Sequence, residues 1–548
     1  MLLLALTGPI GPGQAGGGAS SNSHDFVGLN SLLFVLVVGV CLFLARVIRE
    51  YKIYYLPASA ASMIFGMAIG IVSIFFGHEE TDFVWFQPNV FFYVLLPPII
   101  FDAGYALKRK DFFRNLATII MFAVFGTLIS TLVIGYFLYG LARIGLIGLD
   151  SSDPLECLTF AALLSAVDPV ATLSILGSPD INADPVLYSL VFGETVLNDA
   201  VSIVLFKTFQ QSVGEAPSAF SILTIMGNFS AVSIASVCVG IGVALLCAYV
   251  FRCVEFRESP AHEYTLMFLF AYASYCLSEI AGLSGVMALF VCAIVIHHYA
   301  WYSLSEISRR STGHVFHSFA LLAETFLFAY LGITAGVSFQ PSIGLSWSPL
   351  LVLFSLIACF LSRAAHIFPG SALVNFRRKR KITFSMQCVM WFAGLRGAVS
   401  FALALSCETP NRSLVITTTL TVVFFTTVVC GGLTEPLLTK LNLRRDCNDV
   451  RNPLVSVSQD EDGMDDESSL STSPATAGLQ KIWNDFDEFY MRSWFGGPNI
   501  VGPRGVTRLS QFSRCATNAH APVPVSLQSI SPRSSSPLGP DRGSSSLF

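Results

Sequence analysis

Charge is what this 548-residue chain has least of: Asp, Glu, Lys and Arg make up 12% of it, about half the share usual in a soluble domain. Together with 53% apolar residues and 46 phenylalanines, that scarcity excludes a soluble globular enzyme. C-x-x-C spacing is absent as well, which removes the thiol-redox and zinc-site readings. Most of the 13 cysteines lie inside apolar runs (Cys41, Cys238, Cys247, Cys276, Cys292, Cys359, Cys388, Cys430) and read as small packing residues. Cys157 and Cys407 fall near the same side of the membrane, the one pair for which a bridge is conceivable. The N-terminal "MLLLALTGPIGPGQAGGG" lacks the basic start of a complete secretory signal. No nucleic-acid partner is expected.

What the chain does have is apolar runs of 18 or more nearly uncharged residues, recurring from about residue 31 to 441. Each is long enough to cross a bilayer as a helix, so the fold class is an all-α polytopic membrane protein. Thirteen spans are predicted, near 31–47, 54–76, 84–105, 116–142, 155–177, 186–207, 222–251, 264–281, 283–300, 319–338, 345–368, 384–406 and 412–439. Odd-numbered connections carry nearly all the basic residues, for example Lys108, Arg109, Lys110 and the run from Arg377 to Lys381. Even-numbered ones hold only Arg143, Lys207 and Arg412. By the positive-inside rule the N-terminus faces outside or lumen and the C-terminus the cytosol.

Three regions follow: a lumenal or extracellular N-terminus (1–30), a transmembrane domain (31–445) and a cytosolic tail (446–548). The tail is acidic, Ser-rich and low in complexity, a composition expected to be mostly disordered. An aromatic island, "LQKIWNDFDEFYMRSWFGG" (479–497), is expected to be a short amphipathic segment that lies on the membrane, docks on the transmembrane domain or binds a cytosolic regulator. Asn411-Arg412-Ser413 is a glycosylation sequon on a short non-cytosolic loop, which makes Asn411 a candidate.

Thirteen spans divide as six, one and six. An offset of seven inverts the topology between two six-helix repeats, as in inverted-repeat transporters. Spans five and twelve support the pairing, since each is interrupted: "SAVDPVA" in one, "AGLRGAVSFA" in the other. Pro169 removes an amide donor and breaks its helix; Gly394 and Gly397 loosen theirs. Broken helices at membrane depth need protein or a watery cavity around them. Asp168 is placed to accept amides at the new helix N-terminus and Arg396 to neutralise the carbonyl end of its own broken helix; both either only cap these breaks or take part directly in ion coordination.

The ionisable residues well inside spans are few: Asp168, Glu194, Asp199, Glu279, Glu324, Arg363 and Arg396, with Asp102 at an edge. Such groups are expensive in a bilayer and are functional candidates by default. Acid outnumbers base, so the surplus must be protonated, wet or bound to a cation. In "GETVLND" Glu194 and Asn198 share a helix face, while Asp199 lies about 100° further round. Glu194 is therefore expected to pair with Arg363 as a structural bridge, leaving Asp199 as the free acid near the two breaks. A carboxylate partly withdrawn from water exchanges its proton for a cation near neutral pH. Na⁺ and K⁺ take oxygen ligands, which Asp199, Asp168, freed carbonyls and the Thr172 hydroxyl are expected to supply. A single shared carboxylate gives one-for-one, electroneutral exchange; a carbonyl rather than a second carboxylate at Asn198 agrees.

The stretches "LLPPIIFDAGY" (95–105), "AVDPVA" (166–171), "FGETVLNDAVSIVL" (192–205), "LSGVMALF" (283–290), "ETFLFAYLG" (324–332), "RAAHIFP" (363–369) and "GLRGAVSFALAL" (394–405) resemble the eukaryotic sodium/proton exchangers of the monovalent cation/proton antiporter family. That resemblance implies an antiporter fold, a homodimer and elevator-like alternating access. It makes Asp199 the ion-binding carboxylate with Asn198 beside it, and puts Asp168 at the crossing of the broken helices. Glu194, Arg363 and Arg396 become structural or pH-responsive elements, and Pro97, Pro98 and Glu324 line an outer cavity that takes amiloride-type inhibitors. The aromatic tail island and "RAAHIFP" are similar to endosomal and Golgi members, so an endomembrane is favoured, with the plasma membrane as the alternative. Substrates are then H⁺ with Na⁺ or K⁺, and no cofactor is implied.

Two other classes share features with this sequence. Gly282-Leu283-Ser284-Gly285 fits the G-x-S-G pattern of intramembrane serine proteases, but His297 and His298 stand roughly 18–20 Å away along the same helix. A non-exchanging channel or sensor on the same fold would differ in coupling. His262, His314, His317 and His366 are expected near cytosolic ends as solvated or satisfied side chains, with pH sensing the functional alternative.

Overall fold

The computed structural model describes residues 20–51, 55–75, 88–107, 109–149, 154–168, 170–176, 184–211, 219–254, 259–338, 346–378, 381–441 and Met491. Among them the regular structure is helical throughout. The helices are α1 (Ser20–Glu50), α2 (Ala58–Phe75), α3 (Pro88–Val90 running on through Phe91–Leu95 to Leu96–Tyr105), and α4 (Arg109–Ile120, Met121–Gly126, Thr127–Arg143). Next come α5a (Pro154–Ser165), α5b (Val170–Leu176), α6 (Pro185–Gln211), α7 (Ala219–Cys253), α8 (Pro260–Ile280), α9 (Gly285–Tyr299) and α10 (Glu306–Val337). The last are α11 (Pro349–Arg377), α12a (Phe384–Phe392), α12b (Ala398–Leu405) and α13 (Arg412–Lys440). Helix thus occupies each segment where a span is predicted, and seven of the helices are by themselves long and apolar enough to cross a membrane.

Four boundaries differ most from expectation: α10 begins at Glu306 where 319 is predicted, α4 begins at Arg109 where 116 is predicted, and the other two concern α1 and α11. Helix α1 already starts at Ser20, because the polar residues before the apolar run are compatible with helix even though they are not membrane-like. Helix α11 continues through Pro369 to Arg377 instead of ending at residue 368. A proline costs one hydrogen bond and a local clash, a penalty that packing on both sides can outweigh; Gly370, the next residue, fits closely against Met121 and Phe122.

The helices pack as two groups. Helices α1, α2, α3, α7, α8, α9 and α10 find most of their neighbours among themselves, and so do α4, α5, α6, α11, α12 and α13. The tightest contact in the first group joins α2 to α10. A Cβ on Gly66 would lie 2.3 Å from the Ala329 carbonyl oxygen, and one on Gly332 would lie 2.1 Å from that of Met63. In lipid, where apolar surface gains little by association, such backbone-on-backbone approach is how helices hold together. The second group contains two triplets in the same order, α4-α5-α6 and α11-α12-α13, and the middle member of each is broken.

The tail lies outside the described residues except for Met491, which packs against the main apolar core. The island 479–497 is otherwise outside them, as is Pro169.

Candidate functional site: two crossed, broken helices

Helix α5a ends at Ser165 and α12a at Phe392, and the chain then runs non-helical through Ala166–Asp168 and Ala393–Gly397 respectively. The breaks lie against each other. Asp168 N–H donates to the Leu395 carbonyl (2.9 Å), joining the two non-helical segments directly. The Ala166 carbonyl, freed where α5a ends, accepts from Arg396 Nη1 at 3.3 Å and from Ser400 Oγ at 3.4 Å. Arg396 is fully buried and therefore serves the carbonyl end of α5a, whereas the sequence suggested its own helix. Asp168 is likewise drawn across: its side chain lies on Gly397, the residue that caps the start of α12b. Each charged residue stands at the end of the other helix whose backbone partial charge it opposes, a favourable arrangement at helix termini.

A π-helical turn in α13, Thr426–Cys430, supports the second break. Thr426 Oγ1 accepts from Arg396 N–H (3.1 Å), and Thr427 Oγ1 donates to the Arg396 carbonyl (3.5 Å). Such widened turns re-aim side chains at functional positions. Nothing in the periodicity of the α13 sequence signals it.

Helix α6 carries three polar residues whose surroundings differ. Arg363 Nη1 donates to Glu194 Oε1 in a buried pair, and Arg363 Nη2 donates to the Met390 carbonyl at 2.6 Å. His366 belongs to the same cluster: it is 4% exposed, its Nε2 lies 3.8 Å from Glu194, and its Nδ1 lies 3.0 Å from Ser130 Oγ. The sequence placed His366 near a cytosolic end; the continuation of α11 beyond Pro369 carries it inside instead. Asn198 Oδ1 accepts from Ser202 Oγ (3.2 Å), whose oxygen is 3.0 Å from Ser165 Oγ at the end of α5a. These serines, absent from the sequence reading, tie α6 to the break.

Asp199 is 8% exposed and its Oδ1 has no hydrogen-bond partner. The Asp168 carboxylate is close enough to act on it electrostatically. Thr172, on α5b, is fully buried and its Oγ1 is also without a partner. A buried oxygen with no donor is costly unless something positive fills the gap. The Asp199 and Asp168 carboxylates that approach each other here are hard oxygen groups, suited to a monovalent cation or a proton.

Glu324, on α10, is half-buried and feels the charges of both Asp168 and Asp102. Asp102 in turn accepts from His317 Nδ1 at 3.1 Å. Pro97, which is buried, and Pro98 sit in the turn of α3 just after its π-helical stretch. Asn411 does not stand free: its Nδ2 donates to Glu156 Oε1 (3.1 Å), a residue 4% exposed at the start of α5a. Cys157 and Cys407 are both free thiols.

Two repeated triplets whose broken middle helices cross, with unpaired acid beside the crossing, define a helical membrane carrier. Residues 30–440 match the family model for the sodium/hydrogen exchanger transmembrane region, and the chain belongs to that family. It is 36% identical over 512 residues to "Sodium/hydrogen exchanger 4" of Arabidopsis thaliana, covering 85% of this chain and 94% of that protein. To the human "Sodium/hydrogen exchanger 8" it is 36% identical over 446 residues, covering 79% and 75%. To the human "Sodium/hydrogen exchanger 9" it is 38% identical over 435 residues, covering 76% and 65%. Among solved structures, the sodium proton antiporter MjNhaP1 of Methanocaldococcus jannaschii superposes with a TM-score of 0.58 at 18% identity, over 76% of this chain and 99% of that one. That likeness establishes the antiporter fold.

Proposed function

We propose that this protein exchanges a monovalent cation, Na⁺ or K⁺, for a proton, one for one, by alternating access. The observation that carries the reading is the unpartnered Asp199 Oδ1, buried beside Asp168 and the broken-helix crossing. Asp199 binds the proton or the cation in turn; Asp168, the Thr172 hydroxyl and the Asn198 region complete the oxygen shell. Glu194, Arg363 and Arg396 hold the framework by neutralising one another and the cut helix ends. No cofactor takes part. The relatives named as sodium/hydrogen exchangers support H⁺ and Na⁺ as substrates; K⁺ is included because nothing in the oxygen set selects strongly by size.

Because one carboxylate cannot hold both ions, loading by one requires release of the other, and coupling follows without a second energy source. The carrier works as a homodimer in a lipid membrane, with Golgi or endosomal residence favoured over the plasma membrane and the tail as a binding site for cytosolic regulators. Pro97, Pro98 and Glu324 lie along the route to the site and are where amiloride-type cations would compete.

The deciding experiment is dissipation of a pH gradient in proteoliposomes on addition of Na⁺, K⁺ or Li⁺, with Asp199→Asn alongside. Cation-driven proton movement that needs no charge shunt and is lost in Asp199→Asn is the expected result. Proton leak without cation dependence would instead indicate a channel, and exchange surviving in Asp199→Asn would move the site elsewhere.

A further inference from the structure

The ion pairs and hydrogen bonds of the crossing each stay within the second group of helices. One side-chain pair does not. Lys207, on α6, donates from Nζ to Glu279 Oε2 on α8 at 3.0 Å, joining the two groups. Lys207 follows Asp199 by eight residues on the same helix, which sets it roughly 12 Å along the axis at about 1.5 Å per residue. Glu279 is held in place from the other side, since its Oε1 accepts the Gly285 N–H (3.1 Å) at the start of α9. The same C-terminal end of α6 is also tied to its own group, where Gln210 Nε2 donates to the Ser406 carbonyl (3.2 Å) after α12b.

Beside the pair lies a cavity of about 240 Å³ between α6, α7 and the α8–α9 turn, lined by Ile203, Val204, Thr208, Ala231, Val232 and Leu283. The two groups are therefore not packed solidly against each other at this end. Even-numbered connections, including those after α6 and α8, are the ones poor in basic residues, so this end is the non-cytosolic one. The Lys207 side chain is 49% exposed and that of Glu279 18%. An ion pair this wet is weak and readily broken.

We infer that Lys207 and Glu279 form a breakable latch that holds the ion-site helix against the first group at the non-cytosolic end, and that the latch must open for the site to face that side. The inference rests on the alternating-access reading above. Lys207 and Glu279 are positioning residues: neither touches the transported ion, and both act by biasing which way Asp199 faces. Removing the latch shifts the population toward the state open to the non-cytosolic side. A shift of that kind lowers the apparent KM for cation on one face and raises it on the other.

The test is cation-driven proton exchange in sided membrane vesicles of both orientations, comparing wild type, Lys207→Gln and the charge swap Lys207→Glu/Glu279→Lys. For Lys207→Gln the expected result is a KM lower by roughly two- to fivefold on the non-cytosolic face and higher on the cytosolic face, the range set by a partly exposed pair. The charge swap is expected to return both values toward wild type. A merely structural contact would change the amount of folded protein or the maximal rate and leave both KM values in place, and that outcome overturns the latch. KM values moving in the same direction on both faces overturn it as well. If wild type itself shows no cation-coupled proton movement, the exchange reading fails first, and the latch with it; if wild type exchanges and Lys207→Gln does not alter sidedness, the latch alone fails.

Discussion

Asp168 stands where a side chain at position 397 would have to go. A Cβ on Gly397 would lie 2.1 Å from Asp168 Cβ, 2.5 Å from its Cγ and 2.2 Å from its Oδ2, well inside any tolerable contact. Because Asp168 N–H is bonded to the Leu395 carbonyl, its backbone cannot retreat without opening the crossing. Rotating the carboxylate cannot relieve a Cβ-to-Cβ clash, so Gly397→Ala is expected to spread the crossing and displace Asp168 relative to Asp199. A displacement near 1 Å at such a site costs about a hundredfold in rate. Exchange rate per mole of correctly assembled protein is the measurement. Wild-type exchange in Gly397→Ala would mean that the approach of Asp168 to α12b is irrelevant to transport.

The Glu194–Arg363 pair carries a stability prediction. Both side chains are almost wholly buried, so removing either partner leaves a bare charge inside the protein. Glu194→Ala and Arg363→Ala are each expected to destabilise by about 3–5 kcal/mol. The double variant should cost distinctly less than the sum, because neither charge is then stranded. Unfolding temperatures of purified protein in detergent provide the cycle, and strict additivity would show that the pair does not act as a unit.

Competition for one carboxylate fixes the direction of the pH response. Protons on the cation-loading side occupy Asp199, so acidification there must raise the apparent KM for the cation and leave the maximal rate at saturating cation largely intact. In the range where protons outcompete, the rise is about tenfold per pH unit, as simple mass action requires. A KM independent of pH, with only the maximal rate changing, would place proton and cation at separate sites.

Asn411 is expected to carry no glycan. Its amide nitrogen, the atom a glycan would be attached to, donates to buried Glu156, and the residue caps the start of α13. Intact mass and glycosidase treatment of protein from a glycosylating host would check this. Asn411→Ala should cost about 1 kcal/mol of stability through the lost bond to Glu156.

The covalent order of residues settled a good deal of this molecule. Apolar runs set where helices form, Gly394 and Gly397 mark the break in span twelve, and the basic residues of alternate loops set the expected orientation. These are local properties: hydrophobicity and backbone freedom act on the residues that carry them, so a reading along the chain captures them. Helix geometry also separated Glu194 from Asp199, because a 100° step is fixed by the helix itself.

What crosses between elements was decided by the tertiary structure. Arg396 reaches the Ala166 carbonyl instead of its own helix end, and His366 joins the Glu194–Arg363 cluster. The π-helical turn of α13 brings Thr426 and Thr427 to the Arg396 backbone, and Lys207 finds Glu279 on a helix of the other group. His366 and Arg363 are three residues apart on one helix; the other partners are far from their mates in sequence, and none follows from residue type. A buried polar group takes the partner that packing brings within about 3 Å, and only the assembled fold determines which one that is.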